Sequence, residues 1–197
     1  MSLSSFFSVA NAIRLMLIVG VLAVFLVIVQ SCSQPKTGLE AYSEGSLKKL
    51  TSLENPPVQP SMVFKDPDGT EMQLSDYKGK TIIVNIWATW CAPCIAEMPM
   101  LDELQAQKKS DKFEVVTISL DRTALEAKTW FEDNSIINLP LWHDSTYGVS
   151  GKLALPGLPT SIFYNAQGRE IARIPGEVDW TSEEALALVE YLTGSVN

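Results

Sequence analysis

Thr81 to Pro99 reads TIIVNIWATWCAPCIAEMP. Its first half is an apolar, β-branched run (Ile82, Ile83, Val84, Ile86, Trp87), the pattern of a buried strand. Ala88-Thr89-Trp90 then leads into Cys91-Ala92-Pro93-Cys94, and Ile95-Ala96-Glu97-Met98 reads as the opening of a helix with Pro99 as a kink inside it. A strand that delivers C-x-x-C to a helix N-terminus is the arrangement dithiol redox chemistry needs. Unpaired N–H groups and the positive end of the helix dipole both favour a thiolate there. Cys91, the more exposed position, is the expected nucleophile, with a lowered pKa. Cys94, one turn deeper, is placed to attack a mixed disulfide and release product. Pro93 presets φ and removes a donor at the helix start.

Two other readings of the pair compete. A closed zinc site needs four ligands, and beyond the pair the chain offers only Cys32 and His143. A purely structural disulfide would close too short a loop to stabilise much.

Trp90-Cys91-Ala92-Pro93-Cys94 resembles the active-site motif of the thioredoxin superfamily, in its membrane-tethered, extracytoplasmic TlpA-like branch. Gly157-Leu158-Pro159-Thr160-Ser161, ahead of Ile162-Phe163-Tyr164, resembles the superfamily's cis-proline loop and following strand. Gly176-Glu177-Val178-Asp179-Trp180-Thr181-Ser182 resembles the TlpA-type C-terminus. The likeness spans about Pro56 to Gly194. It implies an α/β, thioredoxin-like fold: a central mixed sheet flanked by helices, with an N-terminal β-hairpin and a central insertion. It implies a cis peptide at Leu158-Pro159 facing the sulfurs, and no cofactor beyond the redox-active Cys91–Cys94 pair.

The 197 residues suit one domain with appendages, and 46% apolar residues are enough for a core. Net charge is −8, and since Arg14 is the sole charged residue before Ser33, the remainder carries −9. Such a surface argues against nucleic acid as a partner. Three cysteines do not make a disulfide scaffold.

Leu15 to Val29 is an unbroken apolar run behind Arg14, and extended to Cys32 it gives 18 uncharged residues. That is about 27 Å of helix, close to a bilayer core of about 30 Å. The expected organisation is a cytoplasmic N-terminus (1–14), a transmembrane anchor (15–32), a tether (33–55) and a thioredoxin-like domain (56–197). Val29-Gln30-Ser31-Cys32 also resembles a degenerate lipobox, which would put lipid on Cys32. Both readings attach the protein to the inner membrane with its domain in the periplasm. Within the tether, Leu39 to Leu53 could form a short helix, and Asn55 to Pro60 is extended.

The domain alternates as an α/β unit should. Met62–Phe64 and Glu71–Leu74 read as a hairpin around Asp66-Pro67-Asp68-Gly69. Phe113–Ser119 and Leu139–Trp142 read as strands, with a helix from Thr123 to Asn134 that uses Leu125, Trp130 and Phe131 as apolar contacts. A short helix spans Thr146 to Leu153. Thr160–Tyr164 and Glu170–Ile174 make a hairpin, and Ser182 caps a last helix.

Three further residues are candidates to tune the dithiol. Asn85 shares a strand face with Ile83 and Trp87. Cytoplasmic thioredoxins resemble this stretch but carry an aspartate there, so proton transfer is absent at this position, and Asn85 reads as a buried polar group satisfied by backbone. Glu97 lies one turn beyond Cys94. TlpA-like relatives often carry a glutamate here, a candidate for that proton transfer. His143, the sole histidine, reads as a strand-end residue rather than a ligand.

The resemblance implies a thiol–disulfide oxidoreductase, a monomer acting as reductant on protein cysteine pairs. Such pairs occur in copper-site assembly proteins of cytochrome oxidase and in apocytochrome c, and a membrane thiol donor would restore the dithiol. A thiol peroxidase is an alternative, but peroxiredoxins carry Thr three residues before the reactive Cys and Pro four before that, where this chain has Ala88 and Val84. An extracytoplasmic copper carrier is another; such carriers space the pair as C-x-x-x-C.

Overall fold

The computed structural model describes residues 9–31 and 38–194 in two units, divided after Thr37. In the first, helix α1 spans Val9–Ser31, 23 residues or about 34 Å. Its window Asn11–Ile28 has a mean hydropathy of 2.5, so it is long and apolar enough to cross a membrane. Cys32, and with it the lipobox reading, lies outside the described residues.

The second unit is built on one eight-stranded mixed sheet. In chain order its strands are β1 (Thr51–Ser52), β2 (Val63–Lys65), β3 (Glu71–Gln73), β4 (Thr81–Trp87), β5 (Phe113–Ser119), β6 (Leu141–His143), β7 (Thr160–Tyr164) and β8 (Glu170–Pro175). In space the order is β1-β8-β7-β4-β5-β6-β2-β3. Strands β4, β5 and β6 are parallel, and the outer pairings are antiparallel. The helices are α2 (Ala92–Lys108), α3 (Ala124–Asp133), α4 (Gly148–Lys152) and α5 (Glu183–Gly194). This is the thioredoxin-like architecture expected, with the β2–β3 hairpin attached to the far edge through Lys65 opposite His143.

Strand β4 is central and all seven of its residues are buried, because helices or loops cover both faces of a parallel core strand. Its even positions, Ile82, Val84 and Ile86, join a cluster with Phe64, Leu74, Ile118 and Leu153. Its odd positions, Ile83 and Trp87, join a cluster with Cys94, Met98 and Leu101 of α2 and Leu188 of α5. Helix α2 buries Cys94, Glu97, Met98, Leu101 and Leu104, one stripe at helical spacing that lies on the sheet. The hairpin turn closes through Asp66, whose Oδ1 accepts from the N–H groups of Asp68 and Thr70, while Gly69 supplies φ of 88°.

Two expectations need correction. Part of the expected tether, residues 38–55, belongs to the fold. The segment is not one helix but two 3₁₀ turns, Gly38–Tyr42 and Gly45–Leu47, followed by β1. Leu47 is fully buried, Tyr42 packs on Tyr191 with ring centroids 5.3 Å apart, and Thr51 and Ser52 pair with Arg173 and Ala172. The apolar positions are sparse because their partners are more than a hundred residues away, so no local periodicity marks them. Second, Leu125 is not a core contact: it is 68% exposed. Helix α3 buries Ala127 and Phe131, four residues apart, and Leu125 falls off that stripe.

Candidate active site

Strand β4 ends at Trp87, and the chain turns once before α2 begins. Cys91 N–H donates to Ala88 O (3.1 Å), closing the turn. Cys91 is the N-cap of α2, with extended backbone, and Pro93 sits in the first turn, where its missing N–H leaves no helical bond unmade. Cys91 and Cys94 form a disulfide with Cα atoms 5.2 Å apart. Cys94 is fully buried and Cys91 retains 7% exposure, so the first cysteine is the more accessible of the two. Trp90 stands beside it at 65% exposure. Trp87 is enclosed against Trp130 and Phe131, with ring centroids 5.4 and 5.3 Å away.

The Leu158-Pro159 peptide is cis, as anticipated. Pro159 immediately precedes β7, whose first residue, Thr160, lies opposite Ile86 near the end of β4. This register brings the proline loop to the sheet end that carries the disulfide. Leu158 packs against the cluster that contains both cysteines.

Behind the disulfide lies a buried polar network. Glu97, fully buried on α2, accepts from Asn85 Nδ2 at Oε1 (2.6 Å) and from Val178 N–H at Oε2 (2.9 Å). Asn85 Nδ2 also donates to Ser161 Oγ (3.0 Å). The Asn85 amide donor is thus taken up by side chains, not by the backbone contacts expected, while its buried Oδ1 has no hydrogen-bond partner among the described residues. Its neighbours come from α2 and β7, which sequence alone did not place. Burial pushes the Glu97 carboxyl up to about 7, helped by the charge of Glu177 and opposed by the donors of Val178 and Asn85. A carboxyl in that range can hold or release a proton near neutrality.

His143 stands apart from this network. Its Nε2 lies 2.9 Å from Asp121 O, and because a carbonyl only accepts, that nitrogen carries the hydrogen. Among the described residues no group of three or more His, Cys, Asp or Glu side chains is arranged to hold a metal. Sequence reading missed Ser161, Val178, Thr89 and Asp121. For Thr89 and Asp121 the available signal was the parallel pairing of two buried strands, β4 and β5, which sends the residues after each to the same sheet end.

Comparison with known proteins agrees with the geometry. Residues 58–170 match the AhpC/TSA family. Thiol-disulfide oxidoreductase ResA of Bacillus cereus (strain ATCC 10987 / NRS 248) is 32% identical over 174 residues, covering 85% of this chain and 93% of that protein. The solved thioredoxin-family thiol:disulfide interchange protein of Chlorobium tepidum TLS superposes with a TM-score of 0.60 at 26% identity, over 73% of this chain and 100% of that one. The exposed lipoprotein thioredoxin Etrx1 of Streptococcus pneumoniae strain TIGR4 gives 0.56 at 26% identity, over 67% and 98%. The chain belongs to the AhpC/TSA family, as a thioredoxin-fold, ResA-like thiol-disulfide oxidoreductase.

Proposed function

We propose that the protein is a membrane-tethered, periplasmic reductant of protein disulfides. The observation that carries this reading is the difference in access at the pair: Cys91 keeps 7% exposure at the start of α2, while Cys94 is fully buried one turn deeper, on the helix that also carries the buried Glu97 carboxyl. The Cys91 thiolate attacks one sulfur of a partner disulfide, and the partner's other sulfur leaves as a thiol after taking up a proton. Cys94 then gives up its proton and attacks the Cys91 sulfur. The partner's second sulfur leaves, so the partner gains two electrons and two protons and this protein keeps the disulfide. Glu97 takes the proton from Cys94, and Asn85 holds Glu97 in place. Exposed Trp90 and the Pro159 loop flank the reacting sulfurs and meet the partner chain, while Pro93 shapes the helix start.

Helix α1 is the proposed inner-membrane anchor, and a membrane thiol donor returns the pair to the dithiol. The resemblance noted in the sequence favours cysteine pairs awaiting metal or haem: copper-site assembly proteins of cytochrome oxidase, or apocytochrome c. The domain acts as a monomer.

The test is the equilibrium reduction potential of Cys91–Cys94 in the full-length chain in detergent, read by tryptophan fluorescence. A value near that of thioredoxin, about −270 mV, is expected; a value near about −120 mV would make the protein a disulfide donor and reverse the proposed direction.

A further inference from the structure

We propose that Asp121 is a positioning residue for the nucleophilic cysteine: it clamps the turn between β4 and α2 so that Cys91 is aimed at a partner disulfide. The inference rests on the reading of Cys91 as nucleophile. Asp121 lies two residues beyond the end of β5 and is fully buried. A buried carboxyl is costly unless its oxygens find donors, and here three donors converge on it. Oδ1 accepts from Thr89 N–H (3.0 Å) and from Thr89 Oγ1 (2.7 Å). Oδ2 accepts from Ser119 Oγ (2.8 Å) and shares Thr89 N–H (3.2 Å).

The clamp is itself rigidly mounted. Asp121 N–H donates to Ser119 Oγ (2.9 Å), Leu120 N–H donates to Trp87 O (2.9 Å), and His143 Nε2 donates to Asp121 O (2.9 Å). Asp121 is therefore fixed to the ends of β4, β5 and β6 together, and the chain's single histidine serves as a brace for it.

What Asp121 holds is the turn Ala88–Cys91, closed by the bond from Cys91 N–H to Ala88 O. Thr89 is the second residue of that turn, and Trp90 and Cys91 follow it directly. Gripping both the N–H and the hydroxyl of Thr89 fixes its backbone and its χ1, and so sets the direction in which Cys91 leaves the turn. Disulfide exchange needs the attacking sulfur in line with the S–S bond, and a small misplacement of a reacting group can cost about 10²-fold in rate. Aspartate suits the task because its two oxygens take all three donors, whereas asparagine offers one oxygen.

The test uses full-length protein in detergent, reduced, in a Cys32→Ser, Cys94→Ser background that leaves Cys91 as the sole thiol. Two probes react with its thiolate at alkaline pH: insulin, a bulky protein whose disulfide must be met in line by a fixed sulfur, and iodoacetamide, a small alkylator that also reacts in line but is free to reorient to wherever the sulfur points. Asp121→Ala is expected to slow reaction with insulin at least tenfold while alkylation stays within twofold. Asp121→Asn should retain more of the insulin rate. Unchanged rates with both probes, or parallel loss with both, would overturn the proposal. If Asp121→Ala does not fold, Thr89→Val, at a half-exposed position, is judged by the same ratio, with at least a threefold selective loss expected. The reading of Cys91 as nucleophile is tested separately in a Cys32→Ser, Cys91→Ser chain, where buried Cys94 as the sole thiol should react with insulin at least tenfold more slowly than Cys91 does. An equal or faster reaction overturns that reading, and this failure is separate from that of the clamp.

Discussion

Asn85 Nδ2 donates to Glu97 Oε1 across 2.6 Å, joining the central strand to the helix that carries both cysteines. Both residues are fully buried, so the contact lies in a medium that disfavours charge and strengthens each hydrogen bond. The network continues to Ser161, two residues after the cis proline, and to the backbone of Val178. The carboxyl behind the disulfide is thus held by residues from three other parts of the chain.

Glu97 makes the stability of the fold depend on pH in a definite direction. Its carboxyl moves from the ordinary 4.5 up to about 7 on folding, mainly through burial. Below about 4.5 it is protonated in both states and exacts nothing. Between about 4.5 and about 7 the unfolded chain ionises while the folded one keeps its proton, so stability falls as pH rises. Above about 7 the loss is complete, about 3 kcal/mol at 1.36 kcal/mol per pH unit. Urea unfolding at pH 5 and pH 8 should show this decline in the wild type and little of it in Glu97→Gln.

The same substitution should affect turnover. Glu97→Gln keeps the shape of the network but cannot accept a proton, so release of product from the mixed disulfide should slow about 10²-fold near neutrality. Formation of the mixed disulfide by Cys91 should change far less. Stopped-flow measurement of the two steps separates them, and equal slowing of both would count against a proton-accepting role.

Cys94→Ser should accumulate a mixed disulfide through Cys91 with any protein substrate, because the resolving thiol is gone. Cys91→Ser should accumulate none. Non-reducing gels of membranes carrying each variant read this directly, and adducts that persist with Cys91→Ser would reassign the nucleophile.

Leu47 tests whether residues 38–55 belong to the fold. It is fully buried in the cluster that also holds both cysteines. Leu47→Ala should destabilise by about 2–5 kcal/mol in urea unfolding. A loss of a few tenths of a kcal/mol would return that segment to the role of a linker.

Much was legible in the chain itself. The β-branched run ahead of Trp90-Cys91-Ala92-Pro93-Cys94 announces a buried strand feeding a helix, because strand propensity, turn chemistry and the proline are all local effects. The apolar stretch behind Arg14 announces a helix of membrane-crossing length for the same reason, whereas Gly157-Leu158-Pro159 points to a cis-proline loop only through its resemblance to the thioredoxin superfamily. Tertiary structure decided what depends on distant partners. Glu97 in sequence is one more helix carboxylate; only the packing of α2 on β4 buries it and raises its affinity for a proton. Asn85 acquires its partners from α2 and β7, and Asp121 meets Thr89 only because β5 pairs in parallel with β4. Leu47 carries no local signal of core, and Thr51 and Ser52 none of strand, since the cluster that encloses Leu47 draws on α5 and the partners of the two exposed strand residues lie on β8. Leu125 failed in the opposite sense, its helix having turned that side to solvent. Local sequence sets conformation and the chemistry available to each side chain; burial and hydrogen-bond partners, which tune that chemistry, arise only when remote segments meet.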